Sequence, residues 1–256
     1  MINHNLEKWF DNSVFISEFF GVFILIIGGL TSTKIAIGKW KKFPFSYAFI
    51  YTFFTFLSFI CAWLILFTFN NFNGDYAPII NPINLIINYT MNIIKFNNWT
   101  VFKSLLYILS SQILGFVFAT YTFYFVMKIT KMNNIEKINP IRQINKKQLW
   151  CFLLINTFFI ISIVLIQCIL VWQFHLMHSI IISLLITSST LIHLMLAYKN
   201  DIFSTNIYMC SATYFYSLLN KTIKKRNILK YLTLVLSHLI TCIVFAITIG
   251  FLLSLI

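Results

Sequence analysis

Apolar positions along this chain collect into runs long enough to cross a bilayer, separated by polar or basic connectors. The first run extends from about Val14 to Thr33 and the second from Phe43 to about Phe69, with Lys34, Lys39, Lys41 and Lys42 between them. A third covers about Val101 to Met127 and a fourth Leu149 to about Trp172. After a short turn at 173–178 a fifth ends near Tyr198, and the last ends at Ile256. A membrane-crossing helix needs about 20 mostly apolar residues, so the pattern predicts six transmembrane helices. Two apolar stretches break the rule. Residues 77–94 carry Pro78, Asn81, Pro82, Asn84, Asn88 and Asn92, too much polarity for a lipid-facing span. Residues 207–219 are shorter than a span and follow the polar approach 199–206. Backbone at membrane depth that is not helical must be buried in protein or face water. Both stretches are therefore expected to be re-entrant, a loop and a half-helix that dip into the membrane and return.

The order is then span, span, dip, span, followed by span, span, dip, span. Three crossings per copy invert the second copy relative to the first, the arrangement of membrane proteins whose broken helices meet near the midplane. The expected fold is an all-α membrane protein with six transmembrane helices and two re-entrant half-helices in an inverted repeat. It forms one transmembrane domain over residues 1–256, the first repeat at about 14–127 and the second at about 149–256.

Composition agrees with a chain solvated by lipid. Apolar residues make up 59% of it and charged residues only 10%, which excludes a soluble enzyme or DNA-binding domain as the first reading. The formal charge of +13 does not change this, because 16 of the 19 Lys and Arg lie in the connectors 34–42, 128–147 and 199–230. Such bases orient helices and meet anionic headgroups, so the partner is the bilayer rather than nucleic acid. Their shared side also requires both dips to be non-crossing. By the positive-inside rule that side is cytoplasmic and both termini are outside. Five cysteines stand singly, without a paired spacing, and read as small buried residues. The first apolar run has no cleavage site and is expected to stay as a span.

Several local patterns carry chemistry. Glu18 lies within the first run, where a charge costs about 2.5–3.5 kcal/mol, so it should face the interior and find partners. Its surroundings, Ser17-Glu18-Phe19-Phe20-Gly21-Val22-Phe23-Ile24-Leu25, resemble the first-helix signature of the aquaporin and glycerol-facilitator family. The first dip, Ala77-Pro78-Ile79-Ile80-Asn81-Pro82-Ile83, resembles that family's Asn-Pro-Ala loop with Ile83 in place of alanine. Tyr107, Gln112 and Gly115 in the third run are similar to its tyrosine, glutamine and glycine pattern. In the second half, Asn156 stands where the family has a second glutamate. Asn206, 50 residues on, resembles the second pore asparagine, but Ile207, Tyr208 and Met209 replace proline, alanine and arginine. His193 and Phe49 resemble residues of the family's constriction.

The resemblance implies a passive channel for water or a small uncharged solute such as glycerol, a multi-pass protein of the plasma membrane and a homotetramer. The family has both termini in the cytoplasm, the reverse of what the basic connectors suggest. Glu18, Gln112 and Asn156 would support the pore loops. Asn81 and Asn206 would orient the permeant, Pro82 would start the first half-helix, and Phe49, His193, Tyr208 and Met209 would shape the passage. Loss of the arginine makes the constriction more apolar, and Tyr208 could plug it. Each residue also has a plain reading: Glu18 as a stability pair, Asn81 and Asn206 as helix caps, and His193 as an interior contact. His175 and His178 are three apart but lack the company a metal site needs. No cofactor and no enzymatic chemistry is expected. A six-span protein with a structural or partner-binding role, and an ion-coupled transporter using Glu18, remain as alternatives.

Overall fold

The computed structural model describes residues 11–37, 45–69, 78–96, 102–130, 146–166, 179–197 and 206–221, with scattered helical positions between 231 and 251. The turn holding His175 and His178, the approach 199–205, most of the basic connector residues, Cys168, His238 and Cys242 lie outside the described residues. Among those described, all regular structure is helical: α1 (Asn12–Ile37), α2 (Ser46–Phe69), α3 (Pro82–Phe96), α4 (Phe102–Ile129), α5 (Lys146–Leu165), α6 (Ser179–Ala197) and α7 (Ile207–Leu219).

Three of these are long and apolar enough to cross a membrane, at Asn12–Ala36, Ser46–Phe69 and Ser104–Ile129. Within α5 and α6 the apolar stretches Leu154–Ile163 and Ile181–Leu196 are shorter. α5 begins on Lys146 and Lys147 and ends at Leu165, before the expected end of the fourth run near Trp172.

Large apolar side chains face outward, and polar side chains are buried among an apolar core. Phe53, Phe69, Leu106, Trp150, Leu154 and Ile129 are all more than 60% exposed, while Glu18, Gln112, Asn84, Asn156, His193 and Asn206 are buried. An apolar exterior around an interior that mixes apolar and polar side chains suits a lipid solvent, in which inward-facing polar groups must find partners within the protein or in a wet cavity. Hydroxyl groups in the helices follow that rule. Ser32, Thr33 and Thr55 donate to the carbonyls of Gly28, Gly29 and Tyr51, four residues earlier.

α1 is the centre of the assembly, packing against α2, α4 and α7. Its contact with α4 is a backbone approach. A Cβ on Gly115 would lie 2.4 Å from the carbonyl oxygen of Phe19, so no other residue fits without moving a helix. Ser111 of α4 donates to the Phe15 carbonyl, and Ser17 of α1 donates to the Ala62 carbonyl of α2 at 2.9 Å. α3 touches α4, α5 and α7, so the two shortest helices, α3 and α7, lie against each other inside the bundle.

Candidate functional site

The centre of the site is the segment ahead of α3. Glu18 is fully buried in α1. Its Oε1 accepts the Ile79 amide at 2.7 Å, and its Oε2 accepts the Ile80 amide at 2.9 Å and the Gln112 Nε2 at 2.7 Å. Hydrogen bonds to an ionised acceptor are about twice as strong as neutral ones, and here three donors surround one carboxylate. The bend they hold is costly by itself. Ile80 has φ 54°, a left-handed conformation that a β-branched residue adopts at a cost of roughly 1–2 kcal/mol. The Asn81 amide donates back to the Ile79 carbonyl at 2.5 Å, closing a tight turn around Ile80. Glu18 thus offsets the strain of a turn that aims the next residues into the bundle.

From that turn α3 starts at once. Pro82 occupies its first position, where a missing N–H costs nothing, and the Asn81 Oδ1 accepts the Ile83 amide at 3.1 Å. α7 starts in the same manner. Asn206 is its N-cap, extended at φ −121° and ψ 129°, and its Oδ1 accepts the Tyr208 amide at 2.8 Å. Both caps are buried, Asn81 at 9% exposure and Asn206 at 3%. Two helix N-termini, each equivalent to roughly half a positive charge, therefore end inside the protein, on helices that touch.

A polar relay joins them. The Tyr208 hydroxyl donates to the Gln112 Oε1 at 3.2 Å, and Gln112 in turn donates to Glu18. The Tyr208 ring lies parallel to Phe116 of α4 at 6.0 Å. Met209 is fully buried against α1 and α2, where a Cβ on Gly29 would be 2.4 Å from the Met209 sulfur and 2.8 Å from Tyr51. Ile80, Ile83, Ile207, Tyr208 and Met209 belong to one apolar cluster.

Of the ten site residues expected from the sequence, Glu18, Gln112, Asn81, Pro82, Asn206, Tyr208 and Met209 come together around these two helix starts. His193 is buried on α6 with its ring 4.7 Å from that of Phe159, an aromatic contact with α5. Phe49 is corrected: it is 47% exposed on the outer side of α2. The inward face of that helix carries Tyr47 and Tyr51, one turn apart and stacked at 5.6 Å. Asn156 is also corrected as a loop support. It is 3% exposed, yet neither end of its carboxamide has a hydrogen-bond partner, so it braces nothing as Glu18 does.

Asn84 was not singled out by sequence. It is 1% exposed in the first turn of α3, with both ends of its carboxamide unpartnered. An unpaired polar group of this kind costs about 1–3 kcal/mol in a protein interior. Its position three residues after Asn81 was the available signal, and the tyrosine pair at 47 and 51 in a phenylalanine-rich run was the signal for the true inner face of α2.

Chemically the site offers neutral donors and acceptors beside two helix N-termini, with its carboxylate consumed by three donors. Among the described residues no cluster of His, Cys, Asp or Glu could hold a metal ion. Compared with protein-family models, with curated proteins and with solved structures, the chain finds no match.

Proposed function

We propose that this chain is a divergent aquaporin-like channel that passes water or a small uncharged solute such as glycerol down its gradient. In this reading six helices span the plasma membrane, α3 and α7 are the half-helices of an inverted repeat, and four copies assemble as a tetramer. The observation that carries it is the grip of Glu18 on the amides of Ile79 and Ile80. A buried carboxylate, costly in a membrane, is used to hold a strained turn whose product is a helix N-terminus aimed at the interior. Asn206 and α7 repeat that outcome from the other half of the chain. Two positive dipole ends and neutral carboxamides favour uncharged permeants and oppose cations.

The test is osmotic swelling of proteoliposomes in glycerol and in sucrose. Asn81→Asp keeps the oxygen that caps α3 but removes the carboxamide donor and adds a charge. Glycerol-driven swelling above that of empty vesicles, reduced about tenfold in the variant, equivalent to about 1.4 kcal/mol in barrier, supports the reading. Wild-type vesicles that respond no faster than empty vesicles both to sucrose, which reads water flux, and to glycerol remove it.

One observation favours a second reading, a structural or partner-binding membrane protein. Ile83, Tyr208 and Met209 put bulk into the cluster between the two helix starts. Under that reading Asn81→Asp leaves solute flux unchanged. An ion-coupled transporter would show pH-dependent uptake, with Glu18 as its carboxylate.

A further inference from the structure

Asn84 and Asn156 have no role in the reading above, and they share an unusual condition. Each is at least 97% buried, and all four of their polar side-chain atoms lack a hydrogen-bond partner in the protein. They sit on α3 and α5, helices that pack against each other. On α3 the sequence repeats asparagine at 81, 84, 88 and 92, spacings of three and four that keep these positions on one side of the helix. Asn84 is the first of these within α3 after the cap.

A buried carboxamide left unpaired is among the most destabilising features an interior can hold, and an apolar residue of similar size would avoid the penalty. Elsewhere in this interior Ser32, Thr33 and Thr55 turn back onto their own helix, Ser17 and Ser111 donate to a neighbouring helix, and Glu18 takes three donors. These two asparagines do none of these.

We infer that Asn84 and Asn156 form a solvated binding station for small neutral molecules that both donate and accept hydrogen bonds, namely water and polyhydroxy solutes. Each carboxamide presents one acceptor and one two-hydrogen donor, matching a hydroxyl group, which accepts and donates from a single oxygen. With no charged side chain assigned to the station, it has nothing to compensate a desolvated ion. The station lengthens the polar route beyond the cap at Asn81, from Asn84 on α3 to Asn156 on α5, two helices in contact. It rests on the channel reading for its permeant but not for its wetness.

Two measurements on the full-length protein separate these. The first is thermal unfolding and glycerol-driven vesicle swelling of Asn84→Leu and Asn156→Leu, in which leucine nearly conserves volume and removes the unpaired groups. The inference expects unfolding temperatures equal to or above wild type together with glycerol swelling at least threefold slower. Where wild type conducts glycerol, leucine variants that are as stable and swell as fast as wild type overturn it. The second is water-edited solid-state NMR of the asparagine side-chain amides in lipid, which needs no transport activity. Magnetisation passing from water to the Asn84 and Asn156 amides supports the station even if wild-type vesicles show no flux, which would defeat the channel reading alone. Amides as dry as the surrounding methyl groups overturn it. Should either leucine variant fail to fold, Asn84→Ser and Asn156→Ser, which put a small hydroxyl in place of the carboxamide, replace it; a wet amide at the unsubstituted asparagine is the expected result, and an amide there as dry as the surrounding methyl groups overturns the shared station.

Discussion

The two short helices start alike but are held differently. α3 emerges from a turn clamped by a carboxylate, begins with proline and is capped by Asn81. α7 has the same kind of cap in Asn206, but isoleucine replaces the proline and Asn156 makes no brace. Among the described residues α7 is anchored by side chains of its first turn: Tyr208 bonded to Gln112 and stacked on Phe116, and Met209 seated against Gly29. A helix N-terminus can be placed inside a bundle by gripping the backbone ahead of it or by anchoring large side chains in its first turn. Among the described residues, which leave out 199–205, the first method is seen at α3 and the second at α7. Gln112 connects them, since it touches both Glu18 and Tyr208.

That contrast can be broken most sharply at Glu18. Glu18→Gln keeps the shape but turns an acceptor into a donor among three donors, and should cost about 3 kcal/mol, read as a large drop in the unfolding temperature in detergent. Next is Gly115→Ala, which forces α4 away from the Phe19 carbonyl at a cost of about 2 kcal/mol, measured in the same way. Asn206→Ala removes the α7 cap and should cost about 1 kcal/mol. In the second half the anchors persist, so this variant should remain folded. The smallest effect belongs to Tyr208→Phe, which loses one neutral hydrogen bond worth about 0.5–1.5 kcal/mol. Combined with Gln112→Leu it should be less than additive, because both changes break the same contact; strict additivity would deny that the two halves are coupled there.

Much of this was legible in the sequence because lipid enforces simple rules. The long runs that became α1, α2 and α4, and the short one that became α7, follow from length and apolarity. Glu18 was legible because a charge in an apolar run must find partners, and its donors proved to be the amides before Asn81. Facing was less legible. In α2 the buried Ser46, Thr55 and Ser58 mark the interior side, but the aromatic residues between them do not differ in hydropathy enough to show that Phe49 turns outward while Tyr47 and Tyr51 turn in. Asn156 illustrates a different limit: a position can be polar and buried as expected and still lack the partner its placement suggested. The bulk of Tyr208 is visible in the sequence, but its bond to Gln112 depends on the crossing of α4 and α7, which no local pattern encodes.

The channel architecture requires α3 to enter and leave on one side of the membrane. Single cysteines introduced as Gly74→Cys and Asn98→Cys, in a chain whose five native cysteines are replaced by alanine, can be labelled in sealed vesicles with a membrane-impermeant maleimide. Labelling of both from the same face is the predicted result. Labelling from opposite faces would mean that residues 77–94 cross the bilayer, and the channel architecture would be contradicted.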